Sequence, residues 1–129
     1  MSPSTIAIYG AGCAALACLY TLVELRRRGR PWHRNCYSQA WLDGWSVTHV
    51  GHGIVMFGIA KAVFPGTFYE PLGFVIAAEA IWESFENRNW VIRMFRRAGD
   101  KNYFGDSVAN SAGDILACIV GALFTGFFV

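Results

Sequence analysis

Charge is what this chain has least of: Asp, Glu, Lys and Arg make up 16% of its 129 residues, against about a quarter in an ordinary soluble domain. That scarcity argues against a soluble globular surface. Intrinsic disorder is excluded as well, because disordered chains are poor in aromatics and aromatics here reach 16%. Cysteine is sparse too. Cys13, Cys18, Cys36 and Cys118 show no C-x-x-C spacing, so they read as free thiols packing as small hydrophobes, and no disulfide scaffold is predicted. No phosphate loop, dinucleotide fingerprint or nucleophile elbow occurs. Gly10, Gly12, Gly113, Gly121 and Gly126 read instead as places where helices approach closely. The net charge of +2 is small and its basic residues flank apolar runs, which gives them a topological role and excludes nucleic acid as the expected partner.

What the chain does have is four apolar runs of membrane-spanning length. Thr5 to Leu25 carries one acid, Glu24, at its end, and at about 1.5 Å per residue it reaches about 30 Å, the hydrocarbon thickness of a bilayer. No basic residue precedes it, which separates it from a secretory signal. Val47 to Phe64 is the second run, closed by the turn pair Pro65-Gly66. The third, Pro71 to about Trp90, opens with proline in the first helical turn. The fourth extends from about Asp106 to Val129. The expected fold is therefore all-α: a polytopic membrane protein with four transmembrane helices in a small bundle, one integral membrane domain over residues 1–129. Between the first two runs, Trp32, Tyr37, Trp41 and Trp45 interleave with polar residues, so that stretch reads as an interfacial segment or as an ordinary loop.

Of the 11 basic residues, Arg26, Arg27, Arg28, Arg30 and Arg34 lie between runs one and two, and Arg88, Arg93, Arg96, Arg97 and Lys101 lie at or after the end of run three. Only Lys61 falls elsewhere. An alternating topology puts those ten on one side, which the positive-inside rule makes cytoplasmic; both termini are then on the opposite face, with the bacterial inner membrane as the expected location.

Ionisable groups inside spans are costly and need a reason. His49 and His52 lie three residues apart at the start of run two; Glu79, Glu83 and Glu86 follow the i, i+4, i+7 spacing near the end of run three; Asp106, Asn110 and Asp114 recur every four residues at the start of run four. The three stripes begin or end at the same membrane face, so they are expected to converge on one polar pocket. So many carboxylates in low dielectric must be protonated, paired, or bound to a cation. For Asp106 and Glu86 a bland role, helix capping or pairing with Arg88 or Arg93, stands beside a site role. The two histidines either tie helices together or resemble a metal-ligand set, whose spacing lacks the specificity of a zinc motif. Metal and cofactor are left unassigned.

These residues also carry a resemblance. His49-Val-Gly-His52-Gly53, Glu79-Ala-Ile-Trp82-Glu83, Glu86-Asn87, Tyr103-Phe104-Gly105-Asp106-Ser107, Asn110-Ser111 and Asp114 resemble a bacterial membrane-protein family of unknown function, the DUF2585-type proteins. More distantly, the order His, Glu, then Asp and Asn is similar to VanZ-like membrane proteins, associated with glycopeptide-antibiotic resistance. The resemblance implies membrane location and weight at these positions without supplying a reaction.

Two functions follow. One is a protein that binds or acts on an anionic lipid-like substrate through His49, His52, Glu79, Glu83, Asp106, Asn110 and Asp114, with Glu83 or His49 as general base and Arg88 and Arg93 as anion contacts. The other is an accessory subunit of a larger membrane assembly, its polar cluster locking the bundle. An ion channel is disfavoured, because one acidic pocket at one face leaves no path through the opposite half.

Overall fold

The computed structural model describes residues 40–128. They form four helices and no strand: α1 Ser46–Val63, α2 Tyr69–Glu86, α3 Asn89–Ala98 and α4 Val108–Gly126. The first apolar run, residues 5–25, and most of the aromatic stretch that follows it lie outside the described residues; the last of that stretch, residues 40–45, is a turn leading into α1.

Local chemistry sets the helix ends. Before α1, the Trp45 amide donates to Asp43 Oδ1 at 2.8 Å and the Asp43 amide donates to Ser46 Oγ at 3.0 Å, a reciprocal arrangement that satisfies backbone donors at the helix start. The helix stops at Val63, ahead of Pro65-Gly66. In α2, Pro71 occupies the first turn, where its missing N–H leaves no bond unmade. Ser107 caps α4 by accepting from the Asn110 amide at 3.2 Å.

The third run departs from expectation. A continuous helix to about residue 90 was predicted, but α2 ends at Glu86, Arg88 is extended, and the short α3 follows. Asn87 provides the physical reason. Its Nδ2 donates to the Glu83 carbonyl at 3.0 Å, closing the helix end, while its Oδ1 accepts from the Asp106 amide at 2.6 Å and fastens the start of α4 beside it. The residues expected to form a basic loop are thus an amphipathic helix with Val91 buried and Arg93, Arg96 and Arg97 exposed.

The expectation of four spanning helices is met by one candidate among the described residues. Helix α4, 19 residues with mean hydropathy 1.6, is long and apolar enough to cross a bilayer. Helix α2 is long enough but carries Glu70, Glu79, Glu83 and Glu86.

Helices α1 and α4 run parallel and α2 runs antiparallel to them. The α1/α4 crossing is very close: a Cβ on Gly53 would collide with the Cys118 carbonyl oxygen, and one on Gly121 with the Val50 carbonyl oxygen. Hydrogen in place of a side chain is what lets the two backbones touch. Away from the polar end, Phe57, Ala60, Val75, Cys118 and Ala122 form an apolar core covered by Met56, Phe64, Phe68 and Leu72. At the other end the buried residues are polar: Asp43, Ser46, His49, Glu79, Glu83, Asn110 and Asp114. The outer surface is apolar, with Val47, Val55, Ile59, Ile81, Val120 and Phe124 all exposed. At the polar end, buried carboxylates and imidazole beneath exposed aliphatic and aromatic side chains depart from the usual arrangement of a water-soluble domain.

Candidate functional site

His49 lies at the centre of the polar end. Placed on the first turn of α1 by the Asp43–Ser46 box, its imidazole is buried between α2 and α4. Its Nδ1 is hydrogen-bonded to Glu79 Oε1. With the Glu79 carboxylate as acceptor, Nδ1 carries the ring proton of that bond and Nε2 points away from it. Glu83 Oε1 lies 3.7 Å from Nδ1, and Asp114 Oδ2 lies 3.9 Å from Nε2. His52, one turn further along α1 and half exposed, presents its Nδ1 3.9 Å from Glu79 Oε2. The two imidazoles meet edge to face at 5.1 Å.

The carboxylates differ in how they are satisfied. Asp114 Oδ1 accepts from the Ser46 hydroxyl at 2.5 Å, leaving Oδ2 toward His49. Glu83 is 4% exposed, and neither of its oxygens makes a hydrogen bond of ordinary length, the Ser111 hydroxyl being its polar neighbour. Asn110, one turn before Asp114 on α4, is fully buried and its side-chain amide lacks a partner. Buried polar atoms of this kind are rare in native proteins and call for an explanation, an unseen ion or ligand among them.

A cavity of about 340 Å³ opens beside the cluster, lined by His49, His52, Asp114, Glu86 and Asp106 on the polar side and by Trp45, Trp82, Phe95 and Tyr103 on the aromatic side. Ser107, not Asp106, caps α4. Instead the Tyr103 hydroxyl lies 2.9 Å from Asp106 Oδ2 and 3.3 Å from Glu86 Oε1, bridging the two. Burial first, and then the two carboxylates, push the Tyr103 phenol far above its ordinary range, so it remains a donor. Phe95 of α3 packs edge to face on Tyr103 at 5.3 Å, which makes α3 a wall of the cavity.

The three stripes read from the sequence thus meet at one place. His49, His52, Glu79, Glu83 and Asp114 make direct charge contacts, Asp106 joins across the cavity, and Asn110 is buried on the same face of α4 as Asp114. Arg88 and Arg93 do not join them: both are exposed and neither lines the cavity. Sequence reasoning overlooked Ser46, and quoted Tyr103 and Asn87 without giving either a task. The available signal was spacing, since Ser46 is one turn before His49 on one helix face and Tyr103 is three residues before Asp106.

Fold and site define a class: a small helical protein holding a buried histidine–carboxylate cluster open to an aromatic-walled cavity. The chain belongs to the family described as a protein of unknown function, DUF2585, whose family model matches residues 16–128. It is similar to the UPF0314 protein of Brucella anthropi, 35% identical over 91 residues covering 67% of this chain and 45% of the relative. The UPF0314 protein of Sphingopyxis alaskensis is 34% identical over 74% of this chain and 54% of its own length. UPF0314 protein R03235 of Rhizobium meliloti is 31% identical over 91% of this chain and 67% of its own length. The chain spans about half the length of the first two relatives. No solved structure matches it. The likeness to VanZ-like proteins gains no support from these matches.

Proposed function

We propose that this is an integral membrane protein of the bacterial inner membrane that receives the polar head of an amphiphilic, lipid-like molecule in its cavity and acts on it through the His49–Glu79–Glu83–Asp114 cluster. The observation that carries the reading is the inverted burial pattern: carboxylates and imidazole inside, with aliphatic and aromatic side chains outside where lipid would solvate them. The cavity suits an amphiphile. Trp45, Trp82 and Phe95 offer apolar contact at one wall and the cluster offers polar groups at the other.

An anionic headgroup held directly by Arg88 and Arg93 is the weaker form of this idea, because neither lines the cavity and, among the described residues, no Lys or Arg does. The acidic groups among those residues favour a neutral or cationic headgroup, or an anionic one bridged by a cation. Positive-inside bias, with Arg93, Arg96, Arg97 and Lys101 at the same end as the cluster, supports a cytoplasm-facing cavity. The accessory-subunit reading has no observation of its own, since the exposed apolar faces suit lipid without a partner chain.

Native mass spectrometry of the full chain extracted from membranes tests the proposal. One amphiphile should be retained per chain and lost in Thr48→Trp, which fills the cavity from an exposed position. On incubation with total membrane lipid, the wild type should convert that amphiphile and Glu83→Gln should not. A chain recovered from the soluble fraction, or one retaining no amphiphile, would overturn the reading.

A further inference from the structure

Resting on that reading of the site, we propose that the buried triad His49, Glu83 and Asp114 binds a single divalent first-row transition-metal ion. One ligand atom from each of these three buried residues lies within 4.8 Å of the others. Glu83 supplies the independent observation. Its carboxyl is buried and neither oxygen makes a hydrogen bond of ordinary length, the Ser111 hydroxyl being its polar neighbour, and it faces the cluster with His49 Nδ1 3.7 Å away. A buried carboxylate so weakly satisfied is strongly unfavourable, and a cation at the centre of the triad satisfies it.

The surroundings match what metal ligands require. A ligating histidine donates its other ring N–H to a carboxylate, which orients the ring and makes it more basic. His49 does this with Glu79, and its free Nε2 faces Asp114 Oδ2 at 3.9 Å, too far for a hydrogen bond. Ligand bonds of about 2.0 to 2.2 Å from each side fit that gap. Asp114 is oriented in the same way, with Oδ1 fixed by Ser46 and Oδ2 left for the ion. Two carboxylate ligands match the charge of a divalent cation, and the Glu79 carboxylate beside His49 adds one further negative charge that holds the cation in place. An imidazole with two carboxylates suits zinc, manganese or ferrous iron over magnesium, which prefers oxygen alone. Because His49 and Asp114 line the cavity, a further coordination position opens to it, where a bound ion would meet the headgroup or a water.

A second possible grouping, His49 with His52 and Glu79, shares the first histidine. It is disfavoured here because using Nδ1 as a ligand would break the His49–Glu79 bond, and His52 is half exposed.

The test uses the full chain in detergent, stripped with chelator and then equilibrated with zinc or manganese, with magnesium as control. About one zinc or manganese ion per chain is expected by elemental analysis. Glu79→Gln, which disturbs the orienting group, should weaken binding about 10- to 100-fold. Glu83→Gln and Asp114→Asn, which remove ligand charge, should weaken it more, with helicity by circular dichroism unchanged, and His52→Gln should have little effect. X-ray absorption of the zinc-loaded wild type should show one imidazole among oxygen ligands, a reading that no variant's folding can compromise. No stoichiometric metal, no imidazole signal, or a loss on His52→Gln with none on Glu83→Gln would overturn the site. Amphiphile retention is measured on the stripped protein. A protein that retains amphiphile without binding metal would sink this inference alone, and one that binds metal without retaining amphiphile would sink the substrate reading alone.

Discussion

Single residues here act through small, specific bonds. Tyr103 is the plainest case: one hydroxyl bridges Asp106 and Glu86 and keeps two carboxylates facing the same cavity. Its ionisation is raised above the ordinary phenol value by burial and by those neighbours. The folded form therefore holds the proton where an unfolded tyrosine, with a pKa of about 10, would lose it. The associated stability is fully present below about pH 10 and is lost as pH rises beyond it. Thermal melts of wild type and Tyr103→Phe should accordingly differ most at neutral pH and converge above pH 10. A difference that grows with alkalinity would show that the hydroxyl is free. Ser46 sits at a similar junction, between the Asp43 amide and Asp114, and was missed in the sequence because serine at a helix start has many uses.

At the scale of the element, the α1/α4 crossing decides whether the site exists. His49 and Asp114 meet only because Gly53 and Gly121 let the two backbones come into contact. Adding one methyl at Gly121 must push α1 aside at Val50, one residue from His49. Gly121→Ala should destabilise the protein by about 1 to 3 kcal/mol, the range for overpacking, and should weaken amphiphile binding with it. Gly51→Ala is the control. Nothing lies within 4 Å of a Cβ there, so the change should be neutral or should stabilise by up to about 1 kcal/mol through helix propensity. Equal effects at the two positions would contradict the close crossing. Helix α3 shows the opposite limit of sequence reading. Its first residues, Asn89 and Trp90, read as the tail of a span and its arginines as a basic segment beyond it, and only the bonds of Asn87 reveal the break.

For the whole molecule the question is orientation. In the membrane reading, the amphipathic α3, the cluster and the cavity mouth share the cytoplasmic side, and the α1–α2 turn near Thr67 lies on the other. With the native cysteines replaced, a cysteine at Lys101 should react with an impermeant reagent only after the cytoplasmic side is exposed, and one at Thr67 should react from outside. The reverse pattern would invert the topology and place the cavity on the outer face.

The sequence by itself determined the helical periods, the turn at Pro65-Gly66 and the three polar stripes, because spacing along a helix fixes which residues share a face. It could also indicate that the stripes meet, since charges in apolar segments must find each other. Tertiary structure alone decided which pairs form. That His49 takes Glu79 on Nδ1 and leaves Nε2 toward Asp114, that Glu83 is buried without a hydrogen bond of ordinary length, and that Arg88 and Arg93 stay outside the cavity all depend on helix rotation and ångström-scale separation. Those quantities are set by backbone contact at two glycines distant in sequence, and no local pattern encodes them.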